Sequence, residues 1–231
     1  MSIVQIKNVS KRFGNKEALK KVNLNIEKGK IIGLLGSNGS GKSTLIKIIN
    51  DLLVPTTGNV LVNGEKPGVN SKKVISYLPE RSYLSFNMKV KELIAYFADF
   101  YEDFDEQKAH KLLADFEIDE NDRLKTMSKG TKEKVQLIMV MSRNAQLYIL
   151  DEPIGGVDPA ARDYILDTIL ANFNEDASIL ISTHLIADIE RILDDVVFIS
   201  KGEIVKNTSA DELRNASGKS IDEIFREEFR C

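Results

Sequence analysis

A glycine-rich loop carries the clearest chemical signal in the sequence. Residues 36–43 read Gly-Ser-Asn-Gly-Ser-Gly-Lys-Ser and match the pattern Gly-x-x-x-x-Gly-Lys-Ser at every fixed position. Glycines let backbone N–H groups converge on an anion, and the following helix adds the positive end of its dipole. Lys42 would bring a cation to the β- and γ-phosphates of a nucleotide, while the Ser43 hydroxyl would take one Mg²⁺ position. The loop therefore predicts a phosphate-binding site.

Two carboxylates end a later apolar run and can complete such a site. Asp151 and Glu152 follow the apolar run that ends at Leu150. Because parallel strands present ligands at their carboxyl ends, we expect Asp151 to face the Mg²⁺ shell beside Ser43. Glu152, one residue further, would point toward the γ-phosphate and polarise an attacking water. A solvated edge is the plain alternative for an Asp-Glu pair, and the phosphate loop makes that alternative weaker.

The elements around the loop fit its chemistry. An apolar run at residues 30–35 predicts a buried parallel strand, and residues 44–50 carry apolar side chains at helical spacing. This order of strand, loop and helix argues against the alternative of a flexible Gly/Ser linker. The chain has 231 residues and a formal net charge of -3, so it can bury a sizeable core and shows no nucleic-acid-binding field. We expect no nucleic-acid partner.

Periodicity along the rest of the chain predicts an α/β protein with an inserted helical part. Alternation in residues 3–9 and 22–26 predicts antiparallel strands, residues 58–64 a second hairpin, and residues 74–78 a further strand. Helical spacing runs from residue 88 to about 116, and a long helical pattern follows residue 131. Buried strands are expected at residues 147–150, 178–182 and 196–200, with a helix at 159–173 that Asp158 would cap. The tail predicts one short packed helix with a Ser220/Glu223 capping box, or a frayed terminus.

The remaining composition indicates a reducing compartment. Cys231 is the single cysteine, and the opening residues lack a secretory signal pattern. No apolar run approaches the length of about 20 residues that spans a bilayer, so a membrane role would require a partner. We expect a cytoplasmic protein. His110 is expected to be a surface residue.

A second loop supplies the residues at which a family resemblance appears. Residues 127–131 read Met-Ser-Lys-Gly-Thr, which puts Ser128 and Gly130 at a helix N-terminus, either as a second anion site or as an ordinary cap. Together with residues 36–43, the Leu-Asp-Glu-Pro strand end, Gly156-Val157-Asp158 and Ser182-Thr183-His184, this loop makes nearly the whole chain resemble the ATP-binding subunit of ABC transporters. Several roles follow from that resemblance alone.

The resemblance implies a site shared between two chains. Residues 127–131 resemble the family's signature loop, normally Leu-Ser-Gly-Gly-Gln, which reaches the γ-phosphate held by the other subunit; Lys129 and Thr131 depart from it. His184 would be the switch histidine on the γ-phosphate, Phe13 the aromatic ring that stacks on adenine, and Asp158 the aspartate that joins the two sites. A core aromatic is the alternative for Phe13. The implied nucleotide contacts are Phe13, Gly36, Ser37, Asn38, Gly39, Ser40, Gly41, Lys42, Ser43, Thr44, Ser128, Gly130 and Asp158, with Lys42, Glu152 and His184 catalytic and Ser43, Glu80 and Asp151 on the metal.

Glu80 is the most informative departure from the family pattern. The family usually carries glutamine after the proline of Tyr-Leu-Pro, and this chain carries a glutamate at residue 80. A carboxylate cannot donate the amide hydrogen bond, but it can accept from water and approach Mg²⁺. A glutamate at this position resembles the pattern of single-cassette exporters of the drug, peptide and lantibiotic-immunity type. The short tail after the last strands, without a regulatory domain, also favours export.

The resemblance implies a single ABC ATPase domain over residues 1–231. Its fold class is α/β, a P-loop NTPase core with a parallel sheet, an N-terminal antiparallel β subdomain and an inserted α-helical subdomain. The expected parts are residues 1–84 with the β part and phosphate loop, 85–145 as the helical subdomain, 146–210 as the return of the core, and 211–231 as a helical tail.

The implied function is ATP hydrolysis that powers transport. The chain would dimerise around two ATP–Mg²⁺, with an identical or a paralogous cassette, and drive a separate permease from the inner face of the cell membrane. Two alternatives remain open: a soluble ABC ATPase acting on DNA or ribosomes, and a slow nucleotide-dependent regulator. The short stretch between Lys42 and Ser128 lacks the sustained heptads of DNA-repair relatives, and the single cassette disfavours a ribosomal role. Glu152 and His184 disfavour a regulator.

Overall fold

A computed structural model describes residues 1–84, 87–174 and 176–229 of the chain. Cys231 lies outside the described residues. Within these ranges, no helix combines the length and the apolar character needed to cross a membrane. The strands are β1 (Ser2–Phe13), β2 (Lys16–Glu27), β3 (Ile31–Leu35), β4 (Thr57–Val62), β5 (Ile75–Leu78), β6 (Leu147–Asp151), β7 (Ser178–Thr183), β8 (Asp195–Ser200) and β9 (Glu203–Ser209).

The helices lie between and after these strands. They are α1 (Lys42–Ile49), α2 (Val69–Val74), α3 (Val90–Phe100), α4 (Glu106–Asp115), α5 (Lys129–Met141), α6 (Pro159–Asn172), α7 (Ile186–Ile189), α8 (Ala210–Ser217) and α9 (Ile221–Glu228), with 3₁₀ turns at Leu124–Thr126 and Glu190–Ile192.

The N-terminal strands form an antiparallel sheet, as their alternation predicts. Its order is β2-β1-β4, and a tight turn joins β1 to β2. Of the predicted second hairpin at residues 58–64, the strand is present and a turn follows it, closed by one antiparallel bridge between Val62 and Glu65, but the described residues form no second arm; β4 pairs instead with β1 across a long sequence distance. A hairpin signal in a single strand cannot reveal a partner that lies some fifty residues away.

The larger sheet brings the carboxyl ends of its parallel strands to one edge. Its order is β5-β6-β7-β3-β8-β9; all neighbours are parallel except β9, which runs antiparallel to β8. Apolar side chains alternate between its two faces: Leu34 of β3 belongs to one buried cluster and Leu35 to the other. Burial on both faces explains why these strands read as continuous apolar runs. The predicted α/β architecture is confirmed.

The inserted helical part is a lobe of α3, α4 and α5. Its inner faces carry the apolar residues whose helical spacing predicted it, among them Leu93, Phe97 and Leu112. His110 lies on the surface of α4, as expected, with Nδ1 2.5 Å from Glu120 Oε1.

Arg143, just after α5, joins this lobe to the large sheet. Its guanidinium, only 3% exposed, contacts both carboxylate oxygens of Asp103 at 2.9 and 3.1 Å. It also donates to the Ile75 carbonyl at the start of β5 at 2.6 Å and stacks 3.9 Å from the ring centre of Tyr101. The loop between α3 and α4 is thereby fixed against the first strand of the large sheet.

The C-terminal tail contains two packed helices, so both the single helix and the frayed terminus are wrong for residues 210–228. The Ser220/Glu223 capping box is present at the start of α9. Phe225 and Phe229 pack against Phe198 of β8 with ring centres 5.3 and 5.8 Å apart. Helix α6 ends at Asn172, one residue before the expected bound.

Candidate functional site

The phosphate loop joins β3 to α1 and holds an unusual backbone shape. Gly39 and Gly41 have φ values of 79° and 117°, a region that suits glycine, and the first turn of α1 begins at Lys42. The buried Ser40 Oγ has no hydrogen-bond partner among the described residues. A loop with left-handed glycines at a helix N-terminus and an orphaned buried hydroxyl fits a bound phosphate.

Lys42 is buried inside the loop rather than exposed to solvent. Its Nζ donates to the Gly36 carbonyl at 2.6 Å and lies 3.6 Å from Glu152 Oε1. The side chain is only 6% exposed. This buried ammonium can exchange its carboxylate partner for phosphate oxygens, to which it would donate hydrogen bonds.

Asp151 ends β6 at the carboxyl edge of the sheet and is buried. Its Oδ1 accepts from Ser182 Oγ at 2.5 Å and lies 3.4 Å from Ser43 Oγ. Burial raises the pKa of the Asp151 carboxyl, and the hydrogen bonds from Ser182 and Ser43 act in the opposite direction. Two hard oxygen donors at the start of α1 fit Mg²⁺, which takes its other ligands from phosphate and water.

Glu152 lies next along the chain in a left-handed conformation, with φ at 53°. Its carboxylate accepts from Thr183 Oγ1 at 2.9 Å and lies 3.0 Å from His184 Nδ1. Its own backbone N–H donates to the Ser182 carbonyl at 2.8 Å. A non-glycine residue in this conformation is uncommon and persists where surrounding contacts fix it.

One cavity of about 1250 Å³ brings most of the predicted site residues together. Its walls include Phe13, Asn38, Gly39, Ser40, Gly41, Lys42, Ser43, Thr44, Glu80, Lys129, Asp151, Glu152 and His184. Phe13 stands at the end of β1 with half of its surface exposed, so the core alternative for this ring is wrong. Gly36 is buried beneath the loop, and Ser37 is exposed beside it.

Three predicted residues are exposed and do not line the cavity, although Ser128 and Gly130 flank its wall residue Lys129. Ser128 caps α5, because its Oγ accepts from the Thr131 N–H at 3.1 Å. Gly130 has open space where a side chain would stand, and Asp158 precedes α6. Ser128 thus acts as a helix cap, and the anion-binding role of this loop stays a prediction.

Two residues of β7 were missed as members of the site. Ser182 and Thr183 are fully buried and donate to Asp151 and Glu152. The motif Ser-Thr-His lies in the sequence, but only the pairing of β7 with β6 shows which carboxylate each hydroxyl reaches.

Comparison with known proteins agrees with this geometry. The family described as ABC transporter matches residues 19–155. The ABC transporter ATP-binding protein YtrB of Bacillus subtilis (strain 168) is 32% identical over 215 residues, covering 92% of this chain and 74% of that protein. The SkfA peptide export ATP-binding protein SkfE of the same organism is 30% identical over 213 residues, covering 90% of this chain and 89% of that protein.

A solved structure of an ATP-binding subunit of an ABC transporter is similar over nearly its whole length. It superposes with a TM-score of 0.87 at 29% identity and covers 98% of this chain and 99% of that chain. The phosphate loop, the strand-end carboxylates and the family match lead to one conclusion. The chain belongs to the ATP-binding subunits of ABC transporters, a family that hydrolyses ATP to power transport.

Proposed function

We propose that this chain dimerises around two ATP–Mg²⁺ and powers a separate permease for export. The observation that carries the proposal is the arrangement of Lys42, Glu152 and His184 in one cavity at the carboxyl edge of the sheet. Ser128 and Gly130 are exposed on either side of Lys129 at the cavity wall, which supports their use by a second chain. The name of the peptide export protein SkfE supports the direction of transport.

The proposed hydrolysis begins with a water between Glu152 and the γ-phosphate. Glu152 accepts a proton from this water as its oxygen bonds to the γ-phosphorus, and the bond from that phosphorus to the leaving ADP oxygen breaks. Lys42 exchanges its contacts with Gly36 and Glu152 for phosphate oxygens, and His184 holds the γ-phosphate. Asp151 and Ser43 would hold Mg²⁺, which when bound withdraws negative charge from the phosphates. Ser128 and Gly130 of the partner subunit close the site.

Glu152→Gln and Lys42→Ala test these roles separately. Glu152→Gln keeps ATP binding and should accumulate an ATP-bound dimer while turnover falls by at least about 100-fold, as general-base removal predicts. Lys42→Ala should lose ATP binding itself. Glu227→Gln is the matched control, since this carboxylate lies exposed on α9. Rapid hydrolysis by purified Glu152→Gln would contradict the base assignment.

The permease contact is proposed at a groove of about 670 Å³ between α1 and the helical lobe. Its walls combine exposed aromatic rings, Tyr83 and Phe100, with Ser43 and Asp151 of the nucleotide site. Glu80 belongs to the walls of both the groove and the nucleotide cavity. A permease segment in this groove would therefore contact the residues that respond to nucleotide, and the chain would lie at the inner face of the membrane through that partner.

Co-purification tests the partner directly. Tagged protein from its native cells should carry a polytopic membrane protein, and Phe100→Ser should release it while ATPase activity of the isolated chain stays unchanged. Recovery of ribosomes or nucleic acid in place of a membrane protein would contradict the transporter assignment.

A further inference from the structure

The end of β7 supplies two hydroxyl groups to the two carboxylates at the end of β6 and just after it. Strands β6 and β7 are parallel, and Asp151 lies opposite Ser182 in their register. Ser182 Oγ donates to Asp151, and Thr183 Oγ1 donates to Glu152 Oε2 at 2.9 Å. Glu152 follows the last residue of β6 in a left-handed conformation, and its carboxylate reaches the hydroxyl of the residue after Ser182. Each carboxylate therefore has one hydroxyl partner at the end of β7.

The Thr183 hydroxyl has one acceptor for its proton in this arrangement. Its oxygen already accepts from the Leu185 N–H at 3.0 Å, so its own O–H points to Glu152 Oε2. Thr183 is fully buried, and its hydrogen bond is therefore shielded from competition by bulk water.

The two oxygens of Glu152 have different surroundings. Oε2 is held by Thr183, whereas Oε1 lies 3.6 Å from Lys42 Nζ. His184 Nδ1 lies at 3.1 Å from Oε1 and 3.0 Å from Oε2. When phosphate draws Lys42 away, Oε1 loses that partner and Oε2 keeps the buried threonine.

We propose that Thr183 is a positioning residue that fixes Oε2 of Glu152 and so turns Oε1 toward the attacking water. This inference rests on the proposed role of Glu152 as the general base. The threonine is fully buried and does not line the nucleotide cavity. It acts by holding the base in the orientation that proton transfer from water requires.

Thr183→Val and Thr183→Ser test the hydroxyl at nearly constant volume. Removal of one hydrogen bond to a charged group predicts a fall in kcat of about 10-fold or more for Thr183→Val, with KM for ATP unchanged. Thr183→Ser keeps the O–H and should retain wild-type kcat within about 2-fold. If Thr183→Val does not fold, Thr183→Cys, which has a weak donor, replaces it in the comparison with Thr183→Ser.

Ser178→Ala is the matched control for a purely structural loss. This buried serine of β7 accepts from the Gly29 N–H and donates to the Glu27 carbonyl, both at 3.0 Å, at the far end of the strand. Ser178→Ala should lower Tm and leave kcat unchanged. A similar kcat for Thr183→Val and wild type would overturn the proposal.

A double-mutant cycle separates this inference from the function on which it rests. In the Glu152→Gln background, Thr183→Val should cause no further loss of the residual turnover, because the residue acts only through the base. Equal fractional losses in both backgrounds would overturn the positioning role. Fast turnover by Glu152→Gln alone would instead overturn the base assignment, so the two failures are distinguishable.

Discussion

Arg143 should be one of the largest single contributors to stability, because its guanidinium joins the helical lobe to the large sheet. Arg143→Met keeps an unbranched apolar side chain but removes the charge and every donor. The partly buried Asp103 carboxylate then loses two contacts at 2.9 and 3.1 Å, and the Ile75 and Lys73 carbonyls lose donors at 2.6 and 2.9 Å.

The expected loss in the free energy of unfolding follows from the burial of the Arg143 guanidinium, which is 3% exposed. Breaking a buried ion pair by removing one partner costs about 3 to 5 kcal/mol. Asp103 keeps 24% of its side chain exposed, so water can solvate part of its charge and the estimate falls to the lower end. We therefore expect a loss of about 3 kcal/mol, a large part of the stability of an ordinary domain.

Urea unfolding, followed by tyrosine fluorescence, measures this free energy. Arg191→Met is the matched control, because Arg191 is 57% exposed and pairs at 2.8 Å with Asp163, which is 73% exposed. An exposed pair of this kind contributes about 0 to 1 kcal/mol. A loss below about 1 kcal/mol for Arg143→Met would refute the reasoning that the arginine joins lobe and sheet.

Three further predictions follow from contacts of the site. Gly36→Ala should destabilise the loop by at least about 1 kcal/mol, because its Cβ would stand 2.4 Å from the Ile199 carbonyl oxygen, whereas Gly130→Ala has open space and should show no loss in thermal unfolding. Phe13→Ala should weaken ATP binding by about 1 to 3 kcal/mol and Phe13→Tyr should restore it, as titration calorimetry can measure; equal affinities would exclude stacking. Asp151→Asn should raise Tm at pH 7.5 when Mg²⁺ and nucleotide are absent. Burial raises the pKa of the Asp151 carboxyl above its ordinary value of 3.8, so the protein loses stability as the pH rises from 3.8 through the raised pKa, and asparagine removes this loss. That gain should shrink toward pH 4, and a lower Tm at pH 7.5 would contradict it.

Local patterns predicted the elements that are buried on both faces or that carry strong periodicity. The apolar runs of β3, β6, β7 and β8 appear as strands, and the helical spacing in the lobe appears as α3 and α4. Strand β9 escaped prediction because it is a half-exposed edge strand with charged residues such as Glu203 and Lys206. Helix α2 escaped because it has six residues and few apolar positions.

The sequence did not predict contacts between residues that lie far apart along the chain. The hairpin predicted at residues 58–64 has only one Val62–Glu65 bridge, because β4 pairs with β1 and nothing local encodes that choice. Arg143 carried no signal, since its partners come from the lobe and from the entry to the sheet, distant in sequence. Ser182 and Thr183 were visible in a motif, yet their partners depend on the register of two strands.

The sequence by itself determined the chemistry of the chain. Residue type and spacing specify three features: a loop with glycine at left-handed positions, the lysine and serine that follow it, and the pair of carboxylates at a strand end. They can be recognised in the sequence because phosphate and Mg²⁺ each require particular atoms. Only the tertiary structure decided how those atoms face one another. Parallel strands bring residues 151 and 182 to one edge, so that Lys42, Thr183 and His184 converge on a single carboxylate. Such convergence depends on the hydrogen-bond register between strands of the sheet, which cannot be predicted from residue spacing along the sequence.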